Sequence, residues 1–132
     1  MVFIFIRNTM KKIYLLLPLL LLVTVFSFVK MNHSIVGSWK IVYPAGTPIS
    51  LEFRKDGSFR TEIPSENFTV EGKYKMKGDM LLISDTTCGT GYWSKYRYTF
   101  FNNDSVYSAV IEDSCSGRKA AADKATWIRV KD

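Results

Sequence analysis

Histidine and cysteine are scarce. The 132-residue chain holds one His and two Cys. A structural or catalytic zinc site wants three or four nitrogen and sulfur ligands, and these three residues do not supply a convincing one. The single histidine, His33, precedes the first strand, in a stretch that reads as a mobile terminus. Nucleophilic catalysis by a Ser–His or Cys–His pair therefore lacks its base. Asp56-Gly57-Ser58 lacks the acidic spacing of a calcium loop, and no Gly-rich phosphate loop is present. Helical periodicity does not persist beyond a few residues in the last hundred. No cysteine precedes Cys88, which excludes a lipobox anchor near the N-terminus. A catalytic role would fall to carboxylates alone, with Glu112 and Asp113 as candidates. Their ordinary reading, as strand-end residues in solvent or paired with Arg118, outweighs it. The chain reads as a non-enzyme that needs no cofactor and no metal.

A long charge-free run is present. Met10-Lys11-Lys12 is followed by Ile13 to Val29 without a charge, a basic start before an apolar segment. Residues 1–30 read as a secretory signal peptide, or as an uncleaved N-terminal membrane-anchor helix, with Met10 a second candidate start. Either reading places the remaining domain, residues 31–132, outside the cytoplasm: periplasmic, secreted or anchored facing outward. Four of the 18 basic residues lie in this segment and none of the 12 acidic ones, so removing it takes the formal charge from +6 to +2. The basic sequence pI of 9.4 is thus largely a property of the leader. No clustered basic footprint for nucleic acid remains. Lys73, Lys75 and Lys77 alternate along one strand face, as on the solvated side of a half-buried strand.

The rest alternates apolar and polar residues with a period of two. Eight short strands are predicted: 38–43, 49–54, 58–63, 67–76, 80–84, 92–101, 105–113 and 126–131. One helical turn is expected near Lys119 to Asp123. Three connections are tight, around Asp56-Gly57, Gly78-Asp79 and Asn103, and they alternate with looser ones. In an antiparallel meander, alternate connections share an end. The pattern predicts an all-β, eight-stranded antiparallel up-and-down barrel with one capped end and one loop-rich mouth. Gly72 falls on an apolar row, where it suits a bend.

Gly37-Ser38-Trp39 at the start of the first strand and Arg129 on the last resemble the lipocalin-like calycin barrels. The layout "IVGSWK…LEFRKDGSFR…EGKYKMKGDMLLISD…ATWIRV" is similar to small exported bacterial lipocalin-like domains, over residues 35–131. The resemblance implies a barrel whose Trp39 packs across the closed end against Arg129, with Gly37, Trp39 and Arg129 as structural signature positions. It also implies loose binding of apolar ligands.

Tyr92, Ser94, Tyr96, Tyr98 and Phe100 share the face of their strand expected to point inward. Phe53, Phe59, Phe68 and Tyr74 converge on the same interior. These rings either fill the barrel or line a pocket in which phenolic hydroxyls orient a ligand. Phe53, Phe59, Tyr74, Tyr96 and Tyr98 are the candidate ligand contacts. For residues 105–113 the register is open. A two-residue turn brings Tyr107, Ala109 and Ile111 inward, and a three-residue turn brings Val106, Ser108, Val110 and Glu112.

Two functions compete. One is a binding protein for a small apolar or aromatic molecule. The other is a protein-interaction module, such as a periplasmic hydrolase inhibitor, using residues 31–36 or a mouth loop as a plug. The sharpest expectation is covalent. Two cysteines in an exported chain imply oxidation. Cys88 and Cys115 lie at nearly equal distances along the chain on either side of the turn near Asn103. They should meet at the mouth as a disulfide.

Overall fold

A computed structural model describes residues 33–42 and 48–131. The predicted leader helix lies outside the described residues, as do Met31 and Asn32 of the predicted plug. Eight strands run β1 (Gly37–Val42), β2 (Ile49–Phe53), β3 (Ser58–Ile63), β4 (Phe68–Lys77), β5 (Met80–Asp85), β6 (Ser94–Asn102), β7 (Ser105–Glu112) and β8 (Ala125–Arg129). Each pairs antiparallel with the next, and β1 pairs with β8 to close the barrel. Closure removes both sheet edges. A 3-10 turn (Pro64–Glu66) joins β3 to β4. One helix, α1 (Ser116–Ala122), lies between β7 and β8 and starts three residues before the predicted turn.

The period-two alternation becomes an inside and an outside. Ile49, Leu51 and Phe53 of β2 are buried, as are Leu81 and Ile83 of β5 and Ser94, Tyr96 and Tyr98 of β6. The lysines of β4 are exposed. Gly72 of β4 leaves room in this wall. It stands opposite Phe59, and a Cβ there would lie 2.5 Å from the Phe59 ring and 2.4 Å from the Ser84 carbonyl. The missing side chain is the space into which Phe59 packs.

The β6–β7 hairpin settles the open register. Its turn has two residues between Asn102 and Ser105, yet the inward residues are Val106 and Ser108, both fully buried. A bulge reconciles these facts. Phe100 pairs with Val106 and Asn102 with Ser105, leaving Phe101 as an extra residue on β6. A second irregularity lets Lys95 face Glu112 while Tyr96 faces Val110, so Ile111 is extra on β7. It turns Glu112 outward, where it meets Lys95 at 2.5 Å. Glu112 is therefore on the outer surface and not inside, as the three-residue alternative had it. One extra residue reverses the face of everything beyond it.

The capped end is built on Trp39. The ring is fully buried, and its indole N–H donates to the Ile35 carbonyl at 2.7 Å. His33, expected in a mobile terminus, stacks on Phe100 at 5.1 Å and is hydrogen-bonded to Asn103. Residues 33–36 thus pack on the closed end and do not project as a plug. Arg129 holds them there. It donates to the carbonyls of Ser34, Val36 and Asn103.

Candidate functional site

The barrel is hollow towards the loop-rich end. A cavity of about 600 Å³ opens there, within the usual range for small-molecule sites. Its wall is mostly apolar: Ile41, Ile49, Leu51, Phe59, Val70, Ile83 and Trp127 contribute, with Tyr96 and Tyr98. Three of the five expected contacts, Phe59, Tyr96 and Tyr98, therefore line it. Phe53 and Tyr74 do not. They pack edge-to-face at 4.9 Å below it, and the Tyr74 hydroxyl donates to the Arg54 carbonyl at the β2–β3 turn. That turn belongs to the capped end, so these two rings complete its packing.

The mouth is shaped by α1. Gly117, Arg118, Ala121 and Ala122 face the cavity, and small side chains let the helix lie close to the barrel. Cys115, just before the helix, is bonded to Cys88 on the β5–β6 loop, with a Cα separation of 5.5 Å. The pairing expected from chain positions is present, with normal spacing. At the other end of α1, the Ser108 hydroxyl donates to the Ala122 carbonyl at 2.5 Å and accepts from the Trp127 indole. Asp123 accepts from the Val110 N–H.

A buried ionic cluster sits between helix and wall. Arg118 donates to Asp85 at 2.5 Å and makes a two-pronged contact with Asp113. The side chains of Asp85 and Asp113 are 2% and 0% exposed, and that of Arg118 16%. At this depth a charge is tolerated only with partners. Asp113 also accepts from the Tyr96 hydroxyl and the Cys115 N–H. Burial alone would raise the Asp113 carboxyl, but the bonds from Arg118, Tyr96 and Cys115 outweigh it and lower its pKa. Burial opposes the Arg118 charge, yet Asp113 and Asp85 leave its pKa raised. Tyr96 is pushed well up, first by burial and then by its bond to Asp113. Burial does the same to Tyr98, reinforced by Tyr96. Both phenols are neutral near pH 7.

Sequence reasoning paired Asp113 with Arg118 but missed Asp85, assigning it to a loop. A signal was there: Leu81, Ile83 and Asp85 continue one alternation, and the third is an inward carboxylate. The Tyr98 hydroxyl differs from its neighbours. The ring is 98% buried beside Trp127, and the hydroxyl has no hydrogen-bond partner among the described residues. It faces the cavity. No protein-family model matches the chain, and no curated protein is significantly similar to it.

Proposed function

We propose that the chain is an exported, lipocalin-like binding protein, without catalytic activity, that carries a small apolar or aromatic molecule in its barrel. The observation that carries this reading is the apolar cavity of about 600 Å³ beneath α1. A solid barrel of this size would gain dispersion contacts by filling that space. Keeping it open sacrifices stability that a ligand restores. An apolar molecule entering it would shed its hydration, the main driving force of such binding. Polar groups are few and most sit near the mouth, which suits orientation of a ligand more than bond chemistry. The Cys88–Cys115 bond supports an oxidising compartment, in keeping with export.

The neutral fluorophore N-phenyl-1-naphthylamine tests the reading. Its emission should rise on titration into the full-length protein and be excited through Trp127, which lies in the cavity wall. Val70→Trp, which places a large ring in that space, should abolish the signal while leaving the circular dichroism unchanged. Absence of any saturable signal in the wild-type protein would refute the proposal.

A further inference from the structure

We infer that the cavity is selective for a lipophilic amine, bound as the ammonium ion with its charge at Asp85, and that it rejects carboxylates such as fatty-acid anions. This rests on the cavity being a binding site, as proposed above, and names the chemistry of its occupant.

The first ground is charge. The charged residues that line the cavity, among those described, are Glu66, Asp85 and Arg118. Behind Arg118 lies Asp113, also fully buried. One guanidinium thus faces two buried carboxylates, with a third carboxylate at the rim. No lysine among the described residues lines the space. A ligand carboxylate would enter a site already negative and would have to compete with Asp85 and Asp113 for Arg118. An ammonium would neutralise the excess. Between apolar walls this difference is less screened than on the open surface.

The second ground is hydrogen-bonding capacity. An ionised carboxylate offers about four acceptor positions. Asp113 fills its own with the Tyr96 hydroxyl, two Arg118 N–H groups and the Cys115 N–H. Asp85 does not. Its contacts are the Thr87 N–H at 2.8 Å on one oxygen and Arg118 on the other. Asp85 lines the cavity and keeps acceptor capacity beyond these two contacts, and an ammonium carries three donors.

The third ground is independent of the acidic cluster. The Tyr98 hydroxyl faces the same cavity from deeper in the wall, without a partner among the described residues. No fully buried side-chain polar atom among the described residues lacks a partner, so this hydroxyl keeps contact with the space beside it. Left facing a cavity, it is a point for a ligand to satisfy, so polar recognition extends along the site beyond the mouth.

Calorimetric titration of the full-length protein at pH 7 with decylamine, decanol and decanoate separates the possibilities, because the three share a chain and differ in head charge. Decylamine should bind at least about tenfold more tightly than decanoate, with decanol between them. Asp85→Asn should erase the amine's advantage over decanol, read as the ratio of the two affinities in the same variant. Decanoate binding as tightly as decylamine overturns the inference. So does an amine preference that survives Asp85→Asn. If decanol binds and decylamine gains nothing over it, amine selectivity fails while the cavity reading stands. If none of the three binds, both fail. Should Asp85→Asn not fold, the wild-type ranking alone decides.

Discussion

The guanidinium of Arg129 lies 4.2 Å from the centre of the Trp39 ring, directly across the β1–β8 pairing that closes the barrel. The cation covers an aromatic face while its N–H groups hold three backbone carbonyls. Arg129→Lys keeps the charge but loses the planar fork that makes these contacts together. It should cost about 2 kcal/mol, from the cation–π contact and the stranded carbonyls. Urea unfolding checks this. A midpoint unchanged from wild type would mean that the stack contributes nothing.

Gly37 adjoins the same contact. Its φ is +127°, and a Cβ there would lie 2.6 Å from Arg129 Nη1. Gly37→Ala should therefore destabilise by at least as much as Arg129→Lys, through backbone strain and displacement of the guanidinium together. In the Gly37→Ala/Arg129→Lys double variant the losses should be less than additive.

The Cys88–Cys115 bond joins residues 27 positions apart. Replacing both with serine should lower stability by about 3.5 kcal/mol on the chain-entropy estimate. Unreduced protein should give one crosslinked peptide pair on digestion. Two freely alkylated thiols in exported protein would be incompatible with the bond.

Tyr98→Phe removes a hydroxyl that is unpaired within the described residues. Because that hydroxyl keeps contact with the cavity, the change should leave stability within about 0.5 kcal/mol of wild type. A lowered Tm would show that the hydroxyl is bonded in the folded protein. Unchanged stability together with weaker ligand binding would mark a position kept for function.

Asp113 sets an acid limit. Its pKa is lower in the folded protein than the ordinary carboxylate value. Its contribution to stability is therefore fully present above the unfolded-state pKa of about 4 and is lost as pH falls through the folded value. Asp113→Asn, which leaves Arg118 with half its partners, should cost about 3 kcal/mol at pH 7. The gap between variant and wild type should close progressively below pH 4. Thermal melts from pH 7 to pH 2 measure it.

Strand number, antiparallel order, the tight-turn end and the cysteine pairing were legible because each follows from local signals: alternation, Gly-Asp turns and chain distance from Asn103. The hollow interior was not. Whether Phe59, Tyr96 and Tyr98 fill or line a barrel depends on volumes summed across strands, which alternation does not encode. The split of Phe53 and Tyr74 from the other three rings has the same origin: all five point inward, but height along the axis decides whether they meet the cavity. The register of β7 escaped because a bulge leaves no fixed mark in composition. Phe101 and Ile111 are exposed apolar residues in otherwise regular strands, a hint visible only once the register is known.

Those two bulges make the hairpin unevenly tolerant of changes in length. Between Tyr96 and Phe100, losing one residue would turn the rest of the strand inside out. At Phe101 it would not. With that residue gone, Asn102 still faces Ser105 and Phe100 still faces Val106, now in an unbroken two-residue hairpin. The surplus position is where the gene for this barrel can be shortened by one codon without exchanging its inner and outer surfaces, and Ile111 is its counterpart on β7.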